Sequence, residues 1–414
     1  MQALIGPLQE LAEFEAIQKE KQKEAGVLQI SGCVNSQKTH MMYALGDGCK
    51  YRVIACSSES KARQVYEEYH MLDPETYFYP AKDFLFYQAD IRSKELQESR
   101  MTVVQAILEE KPLTVVVSFD AFMDALPVKG AMKDRVIRIE NGQTLDFDEI
   151  RKALTENGYD REEQVDGPGQ FAIRGGILDI YPLTGELPVR IELWGDEVDS
   201  IRSFDTDSQR SVQNLDEAVI YPADELPGRP VKRVSFLEYF PPEDTLVFLD
   251  EPARLVEKGE AVEQEFVEAQ AKRVESGYEV SDDEMELYET AEIVKRMNTY
   301  YCIGLSALDT HGNGFRFRNK FSINTRSVNP YNNSFEMLTR DLKRLKRNDY
   351  RVILLSGSRT RAKRLAEDLR DYNLSSYYSE EQDREVQPGE IMTAYGHVAE
   401  GYEYPMLKFT VISE

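Results

Sequence analysis

A loop near the amino terminus carries residue types that bind phosphate in many nucleotide-hydrolysing proteins. In the pattern G-x-x-x-x-G-K-[ST], backbone amides surround the phosphates, the lysine contacts them and the hydroxyl holds Mg²⁺. Residues 32–39 (GCVNSQKT) supply Gly32, Lys38 and Thr39 in this spacing, but Gln37 replaces the second glycine. That glycine lets the amides turn toward the phosphate, and a side chain there obstructs the cradle. The sequence therefore predicts a degenerate nucleotide loop.

An acidic pair after an apolar run could complete such a site. Asp250 and Glu251 follow residues 246–249 (LVFL), an arrangement like the one that holds magnesium in helicase-like ATPases. The sequence has no second Gly-Lys-Ser/Thr motif and no convincing arginine finger. We therefore expect a helix-start loop without a ligand and no hydrolysis by this chain. The alternative is a nucleotide-dependent DNA-remodelling enzyme in which Lys38, Thr39 and Asp250 still work.

The composition argues against several classes of protein. The 414 residues carry a formal net charge of −24, which repels polyanions and disfavours a DNA-coating or membrane-surface protein. Four cysteines and four histidines without ligand spacing disfavour a disulfide scaffold or a structural zinc site. No apolar run reaches the ~18 residues of a membrane span. The sequence thus predicts a cytoplasmic protein with no bound metal and no membrane partner.

Strand and helix patterns alternate around the loop and must position it. Apolar runs separated by amphipathic segments occupy residues 27–31, 51–57, 76–79 and 114–118. Strands that alternate with helices at this spacing indicate a parallel sheet with right-handed crossovers. An amphipathic helix is predicted before them, over residues 8–25. Beyond residue 127, the alternating segments 189–194 and 198–204 flank a Gly-Asp turn and predict a hairpin.

The predicted fold class is α/β. It comprises a degenerate RecA-like (P-loop) parallel-sheet domain, an inserted and mainly antiparallel α+β domain, and a small C-terminal α/β domain. Residues 1–127 and 225–329 form the two parts of the first domain, 128–224 the inserted domain and 330–414 the last. A buried-strand pattern over 407–412 is followed by only two residues. We therefore expect this chain to be a piece of a longer protein.

Several stretches resemble the excinuclease subunit UvrB. Those that resemble its first motor domain are 79–87 (YPAKDFLFY), 92–100 and 114–126 (TVVVSFDAFMDAL). Those that are similar to its UvrA-binding domain are 159–161, 170–182 (QFAIRGGILDIYP) and 188–205 (PVRIELWGDEVDSIRSFD). The residues of these motifs, YPAKD included, are more similar to the N-terminal half of the bacterial transcription-repair coupling factor family (Mfd) than to UvrB itself. The resemblance spans essentially the whole chain.

The resemblance implies a UvrB-like body that acts as an adaptor without catalysis. It would recruit UvrA, in nucleotide excision repair, to RNA polymerase stalled at DNA lesions. The contacts with RNA polymerase and DNA, and the ATP and magnesium of a DNA translocase, belong to family domains outside this chain. The family also implies that an intramolecular contact with the parent's C-terminal region masks the UvrA surface. A third interpretation is a clamp that only restrains the absent motor.

The UvrB comparison also predicts a loss. UvrB has a long aromatic hairpin that grips damaged DNA, and residues 79–92 are too few to form one. The resemblance therefore implies that lesion gripping is absent here, together with ATP hydrolysis.

The UvrA contact of UvrB-like domains resembles a polar patch built around arginines. The matching positions are Arg161 and Arg174, which precedes Gly175, while Phe171 and Tyr181 flank them and could add apolar contact. An arginine fork pairs with a carboxylate through two parallel hydrogen bonds, and arginine and aromatic residues commonly anchor interfaces. The resemblance therefore predicts that these five residues bind UvrA.

Alternatives remain for the same surface. Arg174 could instead pair internally with Asp179 or Glu192, the glycines forming a bulge. Ala172 stands where UvrB commonly has another arginine, so that contact is in doubt here. The single tryptophan, Trp194, alternates with core-type positions along its strand. It is either an exposed second contact surface or covered by packing against the parallel-sheet domain.

Overall fold

The computed structural model describes most of the chain, namely residues 2–21, 25–82, 94–225, 232–276, 287–328, 331, 334–381 and 384–413. Residues 83–92, within the segment compared with the UvrB hairpin, lie outside these ranges. The α-helices are α1 (Gln2–Ile5), α2 (Ala12–Lys21), α3 (Asn35–Leu45), α4 (Glu59–His70), α5 (Lys94–Leu108), α6 (Lys129–Lys133), α7 (Phe147–Glu156), α8 (Pro252–Glu275), α9 (Thr290–Met297), α10 (Phe335–Arg347) and α11 (Arg359–Asp371). Short 3₁₀ helices cover Gly6–Glu10, Phe119–Phe122, Phe236–Tyr239, Pro242–Asp244 and Pro405–Leu407. Among the described helices, none has both the length and the apolar character that a membrane span needs.

The described strands form five sheets. In chain order the strands are β1 (Gly26–Ser31), β2 (Tyr51–Cys56), β3 (Thr76–Tyr79), β4 (Leu113–Ser118), β5 (Ala125–Pro127), β6 (Ile137–Glu140), β7 (Asp160–Arg161), β8 (Gln170–Arg174), β9 (Ile177–Tyr181), β10 (Val189–Trp194), β11 (Glu197–Phe204), β12 (Ser211–Leu215), β13 (Glu217–Ile220), β14 (Arg233–Ser235), β15 (Thr245–Asp250), β16 (Tyr301–Ser306), β17 (Phe317–Ser322), β18 (Arg326–Val328), β19 (Arg351–Ser356), β20 (Ser376–Tyr378), β21 (Ile391–Tyr395), β22 (Gly401–Tyr404) and β23 (Phe409–Ser413).

Seven parallel strands form the sheet that carries the predicted loop, in the order β17-β1-β16-β15-β2-β4-β3. Every residue of β4 and β15 is buried, as expected when both faces of a parallel sheet are covered. Val115 and Val116 show the alternation, since each belongs to a different apolar core, one on each face. The predicted α/β class with a parallel sheet is confirmed, and its strands come from both sides of the inserted module.

The inserted module contains a six-stranded sheet of order β12-β11-β10-β9-β8-β7. Its pairs are antiparallel except that β7 runs parallel to β8. Leu178, Ile191 and Ile201 lie opposite one another on three adjacent strands and are buried in the core shared with the parallel sheet. The residues next to these three along each strand point the other way, and Arg190 and Arg202 are among those neighbours. The sheet therefore has one apolar core face and one outer face, on which arginines lie beside a small buried cluster of Val165, Ala172 and Phe204.

The third sheet mixes parallel and antiparallel pairs in the order β18-β22-β23-β19-β21-β20. Through Val352 and Leu354, one face packs with the apolar side of α10 and α11. Through Ile353 and Leu355, the other face joins a core of the parallel-sheet domain. This sheet begins at β18, which hydrogen-bonds to β22 and lies before the boundary predicted at residue 330. The third sheet is thus built directly onto the first domain.

A buried charge cluster and a short strand pair hold the entrance and exit of the inserted module together. β5 pairs with β14, and buried Arg100 donates to Glu225 at 2.9 Å and to Asp124 at 2.6 Å. The Tyr79 hydroxyl and the Lys82 ammonium also reach Glu225, at 2.9 and 2.8 Å. Burial alone would raise the pKa of Glu225, but Arg100 and Lys82 outweigh it and lower that pKa to about 2. Since Tyr79 and Lys82 belong to the YPAKD motif, this motif fixes the chain where it leaves the module.

Candidate functional site

The predicted nucleotide loop lies between the carboxyl end of β1 and the start of α3. Gly32 adopts a φ of +80°, and a Cβ there would lie 1.9 Å from the carbonyl oxygen of Ile323, so only glycine fits. The amide of Gly32 donates to the carbonyl of Ala307 at 3.3 Å, and that of Cys33 donates to Ser306 at 3.1 Å. The first two amides of the loop are therefore engaged by the chain itself.

The fully buried Gln37 side chain closes the loop. Its Oε1 accepts from the amide of Val34 at 3.2 Å, and its Nε2 donates to the hydroxyl of Tyr404, in β22, at 2.9 Å. That hydroxyl lies 2.9 Å from Nδ1 of His40, whose Nε2 lies 2.9 Å from the carbonyl oxygen of Leu4. Because Nε2 faces a carbonyl, it carries the proton, and Nδ1 accepts from Tyr404. Burial lowers the pKa of His40 to about 4, so the ring is neutral at pH 7 and every group in the series has a partner.

Lys38 lies against the predicted acidic pair. Its Nζ is 2.7 Å from Oδ1 of Asp250 and 2.5 Å from Oε1 of Glu251, and both Lys38 and Asp250 are buried. Burial alone would lower the pKa of Lys38, but the two carboxylates outweigh it and raise that pKa. Glu251 also accepts from the amide of Ala307 at 2.9 Å. The structure thus brings the three predicted residues together as an internal ion pair.

The rest of the loop contacts the segment between β21 and β22. The Ser36 hydroxyl donates to Oε1 of Glu68 at 2.7 Å, and the same oxygen accepts from the amide of Ala399 at 2.9 Å. Thr39 is buried, and the cavity beside it measures about 30 Å³. Ser36 and Lys38, two residues of the loop that would face a triphosphate, therefore have partners within the chain.

The residues predicted to bind UvrA do not share one surface. Phe171 is fully buried in the core face of β8, so the expectation that it adds a surface contact is wrong. Arg161 is exposed on the edge strand β7, in register with Phe171. Arg174 lies three positions further along β8. Because side chains alternate along a strand, this register assigns Arg161 and Arg174 to opposite faces.

Arg174 pairs internally, as the alternative predicted, but incompletely. Its Nη2 lies 2.7 Å from Oδ2 of the buried Asp179. Arg190 binds the same carboxylate through Nε at 2.7 Å and Nη2 at 2.9 Å, and its guanidinium lies 4.2 Å from the ring of Phe204. The Arg174 side chain stays 43% exposed, and Nη2 is its one engaged nitrogen among the contacts of the described residues. Arg190 therefore neutralises Asp179, and Arg174 keeps donors directed at solvent.

Gly175 and Gly176 form the two-residue turn between β8 and β9, not a bulge. Gly175 has a φ of +60° at the first central position, where turns of type II′ require glycine. A Cβ on Gly175 would meet nothing within 4 Å, so the tip is open. Tyr181 is half-buried. The exposed part of the predicted set is therefore Arg161, Arg174 and Gly175.

Sequence reasoning missed Tyr404 and His40. Neither stands in a motif, and Tyr404 lies 367 positions from Gln37. The one available signal was Gln37 itself, because an amide placed in a buried loop needs hydrogen-bond partners. Nothing local in the sequence names those partners.

Comparisons with known proteins agree with the resemblance read from the sequence. Residues 137–226 match the family described as the UvrB interaction domain. Over 402 residues the chain is 28% identical to the transcription-repair-coupling factor of Bacillus subtilis (strain 168), covering 83% of this chain and 34% of that protein. Over 399 residues it is 24% identical to the factor of Staphylococcus haemolyticus (strain JCSC1435), covering 82% and 33%. A stretch of 146 residues is 35% identical to the Staphylococcus aureus (strain Mu50) factor, covering 35% and 12%.

These matches confirm the resemblance to an N-terminal, UvrB-like portion of transcription-repair-coupling factors. The chain spans about a third of the length of the first two relatives.

Proposed function

We propose, from the similarity of this chain to the N-terminal part of transcription-repair-coupling factors, that it is a non-catalytic module that recruits UvrA. In the cytoplasm it would bring nucleotide excision repair to RNA polymerase stalled at a DNA lesion. RNA polymerase, DNA, ATP and magnesium would be bound by other domains of a longer translocase, whose C-terminal region masks the UvrA surface until the motor engages. The match of residues 137–226 to the UvrB interaction domain is the observation that carries this proposal.

The absence of catalysis is part of the proposal, and the loop geometry supports it. A bound triphosphate needs free amides and an available lysine, whereas Gln37 is tied to Tyr404 and Lys38 to Asp250. ATP binding by fluorescence and hydrolysis by phosphate release test this on the purified chain. We expect neither. Robust hydrolysis that Lys38→Ala abolishes would instead establish the rival, a nucleotide-dependent remodelling enzyme.

The recruiting role is tested by calorimetry with purified UvrA. We expect the wild-type chain to bind, and Arg161→Ala combined with Arg174→Ala to weaken binding at least ~10-fold, because arginines are frequent energetic anchors of interfaces. Arg210→Ala is the matched control, since Arg210 is exposed in the loop between β11 and β12, at the end of the same sheet opposite the Gly175-Gly176 turn that follows Arg174. Equal binding by the double variant would exclude a role for both arginines in UvrA binding, and no binding by the wild type would exclude the recruiting role.

A further inference from the structure

Two hairpin tips lie side by side at one end of the inserted sheet. The first is the turn Gly175-Gly176 between β8 and β9, and the second is the turn after Trp194 between β10 and β11. The amide of Leu193 donates to the carbonyl of Gly176 at 2.8 Å, which joins the two tips directly. Arg174 and Trp194 therefore belong to one continuous end of the sheet.

Trp194 is directed away from the core. β10 alternates regularly through Leu193 and Trp194, and Asp199 on β11 is the extra residue where the register of this pair shifts. Leu193 packs against the apolar core, whereas 84% of the Trp194 surface is exposed. Gly195 follows with a φ of +67° and open space around it. The fold thus places its single tryptophan at a tip with room for a partner.

The backbone beside this tip is already paired. The amide of Gly142 donates to the carbonyl of Val198 at 2.8 Å, and that of Leu145 to the carbonyl of Asp196 at 2.8 Å. Because these contacts cover the outer edge of β11 near the turn, a partner could not add a strand there. Recognition at this end must use side chains.

Charge limits the kind of partner. Asp196, Glu197 and Asp199 are exposed around Trp194, while Arg174 offers free guanidinium donors on the neighbouring tip. The complementary surface is an apolar recess for the indole, rimmed by lysine or arginine, with a carboxylate facing Arg174.

We propose that Trp194 is the apolar anchor of the UvrA-docking surface, acting together with Arg174 at the paired hairpin tips. This inference rests on the recruiting function proposed above and deepens it. The role expected of Phe171 passes to Trp194, because Phe171 is enclosed in the core and Trp194 is exposed. Tryptophan and arginine are the residue types most enriched among interface hot spots.

The test uses the full chain and purified UvrA. We expect Trp194→Ala to weaken binding at least ~10-fold and Trp194→Phe to retain most of it, as truncating an aromatic hot spot predicts. Val212→Ala is the matched control, because Val212 is 59% exposed on β12 of the same sheet and far from the tips. Thermal unfolding should be unchanged in all three variants, since the substituted side chains are mostly in water.

A direct readout comes from fluorine NMR. Because the chain has one tryptophan, 5-fluorotryptophan gives a single resonance, which should shift or broaden when UvrA is added. Asp196→Asn with Glu197→Gln should lower affinity a few-fold and reduce its salt dependence, as loss of rim charges does.

The outcomes separate the two proposals. Binding that is unchanged by Trp194→Ala, with an unmoved fluorine resonance, would overturn the anchor and leave the recruiting function standing. No binding by the wild-type chain would overturn both.

Discussion

The end of β1 and the paired hairpin tips both carry basic side chains beside carboxylates. At the end of β1 the basic group is buried and fully paired, whereas at the tips it is partly exposed to solvent. Lys38 is buried between Asp250 and Glu251, and the neighbouring Gln37 has a partner for each polar end. At the tips, Arg174 shares Asp179 with Arg190 and keeps nitrogens in water. A motif whose residue types could bind a ligand is therefore not enough to identify a site. What matters is whether its groups are already satisfied inside the fold.

The largest expected effect concerns Lys38 in the loop at the end of β1, which we call the closed region because its polar side chains are paired within the fold. Lys38→Met leaves the two carboxylates without their cation, and breaking a buried pair from one side costs about 3–5 kcal/mol in the free energy of unfolding. Urea denaturation measures this. The control is Lys320→Met, because Lys320 pairs with Asp309 at the same 2.7 Å but in the open, with 47% and 65% exposed side chains, and we expect little change. If both variants unfold at the same urea concentration, the buried Lys38 pair stabilises the fold no more than the exposed Lys320 pair does, and the comparison is contradicted.

A pH dependence should appear at the same closed region. The pKa of His40 is about 4 in the folded protein, below its ordinary 6.5, so between these values the unfolded chain binds the proton and the folded chain does not. Stability therefore falls as pH falls, by about 2 kcal/mol from pH 7 to 5 and about 3 kcal/mol by pH 4.

Urea titrations at pH 7, 6 and 5 measure that decline, and His40→Phe should flatten it. Glu225 does not interfere at these pH values, because its pKa is lowered from the ordinary 4.5 to about 2, so its stabilisation is complete above 4.5 and is lost only as the pH falls from there toward 2. An equal slope in His40→Phe would show that this imidazole can be protonated within the fold.

Restoring the missing glycine sharpens the comparison further. Gln37→Gly removes two side-chain hydrogen bonds and places glycine in the first turn of a helix, so we expect a loss of about 2 kcal/mol. We also expect no gain in ATP affinity, because Lys38 stays paired with Asp250 and Tyr404 still meets His40. Differential scanning fluorimetry with and without Mg-ATP measures both. Stabilisation of this variant by Mg-ATP would mean that the glutamine alone had closed the site.

The smallest effect is expected at the open region. Arg174→Ala should cost under ~1 kcal/mol, because an exposed arginine is well solvated and Asp179 retains its other partner. Arg190→Ala should cost about 2 kcal/mol, since it removes the two-nitrogen pairing of a buried carboxylate. Urea denaturation of the two variants gives the ranking. The reverse order would mean that Arg174, and not Arg190, neutralises Asp179.

Where the residue pattern is unambiguous, the sequence predicted the elements well. β3 and β10 have the predicted bounds, because an apolar run or a strict alternation was closed by turn residues on each side. The helix predicted over 8–25 begins later, at Ala12, since Gly6–Glu10 forms a 3₁₀ turn around Pro7. Periodicity alone did not reveal that interruption.

The sites were harder to predict, for two physical reasons. Lys38, Asp250 and Glu251 could be placed together because the carboxyl ends of parallel strands meet at one edge. Tyr404 could not, since only the packing of the third sheet on the first domain brings it to Gln37. Strand alternation could in principle have predicted the burial of Phe171, but the resemblance to UvrB placed Phe171 itself in the contact surface.

The strand order has a consequence for how the chain is made. β1 pairs with β16 on one side and β17 on the other, so it has no neighbour until the distant end of the domain exists. About 270 residues separate β1 from β16, and a ribosome adding ~5–20 residues per second needs roughly 15–55 s to supply them. During that time β2, β3 and β4 can pair with one another, while β1 has no strand to pair with. Translation speed, and any chaperone that holds a nascent apolar segment, should therefore affect the yield of this protein.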